Sequence, residues 1–268
     1  TNTSLLLSPD GFQLKVTNDL IIGSGGSLYI GAYDTSGTGY ALRCGGNLTL
    51  SDGGRLYIQG GRTNGAVTNG ALVSVTNTLS IGPSSWLYLR CNPTNGGAPY
   101  VKAASVSIAS GGGINAIGGG YRHKSGPGAG RSGTYNGAGG YGGEGGGGAD
   151  PLPGGLPYGS VSAPSAPGSG GGAHNNHIYA GGWGGGLVRI SASGTVTVDG
   201  AINANGTSGQ DPYGSAGSGG AIYIKCLTLG GTGSLEVRGG ATYTAMGGGG
   251  GGGVSHWTTS RSPPSMTF

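Results

Sequence analysis

Residues 20–30 read LIIGSGGSLYI. Large aliphatic residues stand at Leu20 and Ile22, and again at Leu28 and Ile30, with a glycine-rich turn between the two pairs. Residues two apart point to the same face of a β-strand, so each pair predicts a short strand with one apolar face. The stretch therefore predicts two strands joined by a tight turn.

This pattern, which we call the comb, recurs along the chain. The further copies are Leu48/Leu50/Leu56/Ile58, Leu79/Ile81/Leu87/Leu89, Val106/Ile108/Ile114/Ala116, a contracted Val196/Val198/Ile202/Ala204, and Leu227/Leu229/Leu235/Val237. In the first half the copies start 28, 31 and 27 residues apart. A repeat of this length predicts a solenoid of stacked supersecondary units.

A third short strand precedes each comb. The apolar residues of these strands are Leu42/Cys44, Val73/Val75, Val101/Ala103, Val188/Ile190, Ile222/Ile224 and, less regularly, Val254. Three strands in a coil of about 30 residues predict an all-β fold, a parallel β-helix in which matching aliphatic residues stack into interior columns. We expect right-handed winding, because parallel crossovers strongly prefer it. Glycine pairs such as Gly25-Gly26 and Gly53-Gly54 are expected to supply positive φ at the corners.

The composition is dominated by glycine, with 69 Gly in 268 residues and only 8% charged residues. Each interior glycine costs a helix about 1 kcal/mol relative to alanine, which excludes long helices. The 34% of hydrophobic residues, placed in register, argue against a disordered chain.

Residues 111–186 interrupt the combs with 31 Gly and six Pro. We expect this glycine-rich insertion to be ordered and packed on the solenoid or on a neighbour. It would form either extended polyglycine segments lying side by side or loops pinned by aromatic rings, namely Tyr121, Tyr135, Tyr141, Trp183 and Trp257. The chain then divides into solenoid coils at 1–110, the insertion at 111–186, further coils at 187–257 and an extended tail at 258–268, all within one continuous domain.

Three tyrosines alternate with the inward residues of the comb: Tyr29, Tyr57 and Tyr88. In register they would form a ladder on one outer face, and two interpretations stay open. Stacked rings stabilise the contact between coils. An exposed row of rings would instead be a face for sugars or for a neighbouring protomer.

The segments that flank the coils are the candidate assembly elements. The first strands are apolar, with Leu5, Leu7, Leu14 and Val16, and neither terminus offers the polar cap that usually blocks end-to-end addition. Trp183 and Trp257 are further candidates because they stand within or beside glycine runs.

Residues 217–240 read GSGGAIYIKCLTLGGTGSLEVRGG, and the run Gly247 to Gly253 again precedes a short strand. These segments resemble the glycine-rich repeats of large exported bacterial β-helix proteins of the adhesin or surface-filament type. The resemblance covers residues 184–257 well and the first half only through the comb. It implies an extracellular or cell-surface location and a scaffolding or adhesive role, and it carries over no catalytic residue.

Templates for catalysis fit the sequence poorly. The nine acidic residues are dispersed and do not recur at equivalent strand positions, as a polysaccharide-active β-helix enzyme would require. His174 and His177 have the spacing of metal ligands but lack an evident third ligand. We therefore expect a protein without enzyme activity, metal or cofactor.

Covalent features are few. Cys44, Cys91 and Cys226 are too far apart in sequence for a small-domain disulfide framework. Cys44 and Cys91 continue the inward alternation of their strands and are expected to point into the core as small apolar groups, although neighbouring coils could bring one pair of cysteines together into a disulfide. Three sequons make Asn2, Asn47 and Asn205 candidate glycosylation sites.

The formal charge is +4, and the basic residues are scattered singly along the sequence. Nucleic acid is therefore not an expected partner. No apolar run is long enough for a membrane-spanning helix. The expected function is an extracellular structural β-solenoid that self-associates end to end into a filament or matrix. Alternatives are a carbohydrate-binding adhesin that uses the tyrosine ladder and, third, a polysaccharide-active enzyme.

Overall fold

A computed structural model describes residues 4–7, 13–31, 40–63, 69–133, 135–149, 152–174, 181–209, 213–242 and 247–259. These residues form twenty β-strands, numbered β1 to β20 in chain order, and no helix. Sheet A consists of β1 (Ser4–Leu7), β4 (Ser27–Gly31), β7 (Arg55–Gln59), β10 (Trp86–Arg90), β13 (Gly113–Asn115), β16 (Ala201–Asn203) and β19 (Ser234–Glu236).

Two further sheets complete the structure. Sheet B consists of β2 (Leu14–Val16), β5 (Tyr40–Cys44), β8 (Ala71–Val75), β11 (Pro99–Ala103), β14 (Leu187–Ala192), β17 (Ala221–Cys226) and β20 (Val254–Thr259). Sheet C consists of β3 (Leu20–Ile22), β6 (Leu48–Leu50), β9 (Thr78–Ile81), β12 (Ser105–Ile108), β15 (Thr195–Val198) and β18 (Thr228–Gly230).

Each coil runs from sheet B through sheet C to sheet A. Each strand pairs in parallel with the equivalent strand of the next coil. The result is a parallel β-solenoid of about seven turns with three strands per coil. The expected all-β fold class is confirmed.

The aliphatic residues of the comb stack in register. One column joins Leu28, Leu56, Leu87, Ile114, Ile202 and Leu235. All of these are buried except Leu235, which is half-buried near the last coil. Burying one such side chain stabilises the fold by about 1.5–3 kcal/mol, so the repeated columns supply the main apolar core.

Tight turns between sheets C and A use positive φ at two successive residues. Ser24 and Gly25 have φ of 52° and 70°, and Asp52 and Gly53 have 51° and 80°. Gly54, expected to share this role, is needed for a different reason, since a Cβ there would lie 2.0 Å from the Ile22 carbonyl oxygen. Close approach of neighbouring coils therefore selects the second glycine of this pair.

The glycine-rich insertion packs as extended segments together with glycine runs from the later coils. We call this assembly the glycine bundle; it comprises residues 117–131, 136–148, 152–155, 167–173, 181–186, 204–209, 214–220, 237–240 and 247–253. Both packing modes expected from sequence occur: glycine segments lie side by side with direct backbone hydrogen bonds, and two of the expected aromatic rings pin them. Among the rings considered as pins, Tyr121 and Tyr141 are buried, whereas Trp183 and Trp257 are more than one-third exposed.

Segment 214–220 shows how the bundle satisfies its backbone. Successive amides donate to different neighbours, and the pattern repeats every third residue: Ala216 to Gly248 and Gly219 to Gly251, Gly217 to Thr207 and Gly220 to Ala204, and Ser218 to Ser169, all at 2.8–3.1 Å. A helix with three residues per turn and no internal hydrogen bonds sends its amides outward in three directions in this way. The bundle thus pairs backbone groups that an isolated glycine-rich chain would leave to water.

A second apolar cluster anchors the bundle on the solenoid. Tyr141 packs with Leu187, Ala221 and Val254, which lie in register at the starts of β14, β17 and β20. Val254 therefore faces outward into this cluster. The inward positions of β20, in register with Ile222, Ile224 and Cys226, are Ser255, Trp257 and Thr259.

Candidate functional site

The tyrosine ladder forms on the outer face of sheet A. Tyr29, Tyr57 and Tyr88 lie in register on β4, β7 and β10. Ring centroids are 4.1 Å apart for the first pair and 4.3 Å for the second, and each pair of ring planes is inclined by 6°. The faces of Tyr57 are therefore covered on both sides by its neighbours, and ring edges are directed away from the stack.

The ladder holds Tyr57, its central ring, in the neutral form. Burial raises the pKa of Tyr57 to about 12, with further contributions from its hydrogen bond to Tyr29 and from the negative charge that either neighbouring ring would carry. Adjacent phenolates would repel each other at this spacing, so the stacked arrangement favours the protonated form of Tyr57.

In the coils that follow the ladder, the same outward column of sheet A consists of polar residues. The residues that follow Tyr88 in register are Asn115, Asn203 and Glu236. Glu236 accepts hydrogen bonds from the side-chain amides of Asn203 at 3.2 Å and Asn205 at 3.1 Å, and forms an ion pair with Arg238 at 3.2 Å. Its carboxylate thus joins the coil of β19 to that of β16.

Two of the candidate glycosylation residues, Asn47 and Asn205, also join neighbouring coils. The Asn47 side-chain amide donates to Asp19 at 3.2 Å and its carbonyl accepts from the Thr78 backbone at 3.2 Å. Asn205 bridges Glu236 and the Arg238 backbone. Asn2 lies outside the described residues. Glycosylation at these positions stays a prediction.

The candidate assembly elements lie at different places in the fold. Leu5 is on β1, the edge strand of sheet A, and is 54% exposed. Leu14 and Val16, in register with Leu42 and Cys44, are half-buried in the first coil, and the side chain of Leu7 is outside the described set. Trp257 is 38% exposed on β20, the edge strand of sheet B at the opposite end of the solenoid. Trp183 is 37% exposed but lies in the glycine bundle, where its backbone amide donates to the Thr207 hydroxyl.

The three cysteines are buried and free. Cys44 lies in the solenoid core as predicted, whereas Cys91 belongs to the outer apolar cluster of Tyr141 and Leu187. Cys91 lies beneath the bundle, where its sulfur accepts a hydrogen bond from the Leu187 amide at 3.3 Å. Burial raises the pKa of the Cys91 thiol to about 12, which keeps it protonated and unreactive at neutral pH.

Metal-ligating side chains are dispersed in the part of the chain that the structure describes, where no group of three or more His, Cys, Asp or Glu side chains converges. The ring centroids of His174 and Tyr213 are 5.4 Å apart. His177 lies outside the described residues.

One group of residues went unnoticed at the level of sequence. Lys15, Arg43, Lys102 and Lys225 occupy a single outward column of sheet B, with Arg189 in the adjacent column. Aligning the coils by their inward residues would have revealed it, because each of these cations stands between two core positions of its strand.

Comparison of the chain with known proteins gave no match to a family model, to a curated protein or to a solved structure. Among the described residues, no helix is long and apolar enough to cross a membrane.

Proposed function

We propose that this protein is an extracellular structural subunit, a β-solenoid that self-associates end to end into a filament or matrix. The observation that carries the proposal is the pair of exposed apolar side chains on edge strands, Leu5 at one end of the winding and Trp257 at the other.

Edge strands of parallel sheets are templates for further strands. Within the described residues, β1 pairs only with β4, and β19 pairs only with β16. A second copy that adds its β1 to β19 would extend sheet A by one more parallel strand, aligned as the strands within one subunit are. Such a contact joins two different surfaces and does not close on itself, so repetition produces a linear filament.

The position of Trp257 supports this geometry. It stands in register with Ile224, which is fully buried in the core. The ring therefore lies at the end of an interior column, where a further coil would cover it. With few charges on the chain, electrostatic repulsion between copies is weak.

Electron microscopy of the purified protein, with light scattering across a concentration series, tests the proposal. We expect filaments, and we expect Trp257→Lys to abolish them. The matched control is Trp183→Lys, because Trp183 is equally exposed but lies away from both edges. Monodisperse wild-type monomers at high concentration, or equal loss of filaments in both variants, would overturn the proposal.

The ladder geometry gives the glycan-binding alternative less support. Sugars stack on exposed ring faces, whereas the faces of Tyr57 contact Tyr29 and Tyr88. Replacing all three tyrosines by serine separates the two functions. Loss of glycan retention with filaments intact would favour the adhesin.

A further inference from the structure

The outer face of sheet B gathers basic residues that are widely separated in sequence. One outward column consists of Lys15, Arg43, Ser74, Lys102, Ser191, Lys225 and Thr258. The adjacent column consists of Leu72, Tyr100, Arg189, Tyr223 and His256. Neither column contains an Asp or Glu, so every charged residue in these two columns is basic.

A groove runs along this face across β11, β14 and β17. It has a volume of about 470 Å³, and we call it the basic groove. Its polar lining comes from Tyr100, Lys102, Ser191, Ser193 and Lys225. Both lysines are exposed, and Ser191 lies between them in register.

Arg189 is held in position beside the groove. Its guanidinium carbon lies 4.2 Å from the centroid of the Tyr100 ring, and one of its nitrogens donates to the Asn69 side chain at 3.3 Å. The ammonium of Lys102 lies 5.0 Å from the centroid of the same ring. A guanidinium has five N–H donors, so the Asn69 contact leaves others for a ligand.

Within the described residues, Lys102, Arg189 and Lys225 have no acidic side chain as a partner. The corners after β11, β14 and β17 carry no acid at Ala104, Ser193 or Leu227. A concentration of like charge in a groove costs stability through repulsion and attracts an anionic ligand.

We propose that the basic groove binds an acidic polysaccharide, with carboxylates paired to Lys102 and Lys225 and sugar hydroxyls hydrogen-bonded to Ser191 and Ser193. Lys102 and Lys225 are two coils apart, which is about 10 Å at the spacing of β-strands. That separation is close to the length of two sugar units in an extended chain. A polymer with a carboxylate on alternate or successive sugars therefore meets both lysines when it lies along the solenoid axis.

Single-stranded nucleic acid fits the groove less well. Its bases bind proteins by stacking on exposed aromatic faces. Tyr100 already has Arg189 and Lys102 over its ring, and the Tyr223 ring stacks at 5.9 Å with that of His256. The groove offers hydroxyls and spaced cations, which suit a polyhydroxylated acidic chain.

Calorimetry with the full chain and polygalacturonate as the probe tests this inference. We expect binding that weakens as salt is added, and about ten-fold weaker binding in the double variant Lys102→Gln/Lys225→Gln, since it removes two exposed ion pairs with the ligand. The matched control, Lys124→Gln/Arg131→Gln, removes two exposed charges from the glycine bundle and should bind like the wild type.

Three results would overturn the inference: equal losses in the two double variants, equal binding of fully methyl-esterified polygalacturonate, and tighter binding of an oligothymidylate of similar charge. The last would assign the groove to nucleic acid. Light scattering on the same samples reports the assembly state, so a failure of filament formation is distinguished from a failure of polysaccharide binding.

Discussion

At the scale of the residue, glycine acts in the bundle chiefly through the side chain it lacks. A Cβ at Gly217 would lie 2.1 Å from the Trp183 carbonyl oxygen, and one at Gly220 would lie 2.0 Å from that of Gly186. In both cases the obstacle is backbone, which cannot rotate away as a side chain would. Extended segments hydrogen-bond directly only because no side chain separates them.

Gly217→Ala is therefore expected to lower the free energy of unfolding by about 1–3 kcal/mol, the usual cost of overpacking a close-packed interior. Denaturant unfolding followed by circular dichroism measures it. Gly252→Ala is the matched control in the same bundle, because a Cβ there meets nothing within 4 Å. Equal destabilisation by the two substitutions would show that glycine flexibility, and not close approach, governs the bundle.

At the scale of the element, the tyrosine ladder joins β4, β7 and β10 through stacked rings. The pKa of Tyr57 is raised from its ordinary value of 10.0 to about 12, so the folded state retains a proton that the unfolded state releases. The stabilisation linked to this proton is complete below pH 10 and is lost as the pH rises through about 12.

Alkaline unfolding tests the role of the ladder. We expect the free energy of unfolding of the wild type to fall more steeply between pH 10 and 12 than that of Tyr57→Phe, which carries no ionisable ring at the centre of the stack. Tyr135→Phe removes a hydroxyl outside the ladder and serves as the control. Identical pH dependence in wild type and Tyr57→Phe would contradict the expectation.

Elements with simple periodicity were predictable from sequence. The comb located the strands and their register because inward residues must repeat every second position and stack from coil to coil. The inward orientation expected for Val254 was wrong. Val254 belongs with Leu187 to an outer apolar cluster that forms only when Tyr141 packs over sheet B. The basic groove was not predicted from sequence either, because Lys102 and Lys225 are 123 residues apart in the chain although only two coils separate them in space.

At the scale of the whole molecule, the bundle changes how a solenoid holds together. In a simple solenoid each coil contacts only its neighbours, and terminal coils open independently. Here Gly139 donates to Ala216, Gly219 donates to Gly251, and Gly251 donates back to Gly139. This hydrogen-bonded ring joins the insertion after β13 to the segments that precede β17 and β20, so these distant parts of the chain are expected to open together.

Hydrogen exchange followed by mass spectrometry tests this coupling. We expect amides of 214–220 to exchange nearly as slowly as those of β7 and β10, because their hydrogen bonds break only when the bundle opens. Residues 161–163 are exposed, and the Ala163 amide donates to the nearby Ser160 hydroxyl, so this local turn is the fast internal control. Gly217→Ala should speed exchange in 204–207 and 247–251 as well as in its own segment, whereas Gly252→Ala should not. Rapid exchange of 214–220 beside protected strands would mean that the glycine segments open independently of the solenoid, and the coupling argument would fail.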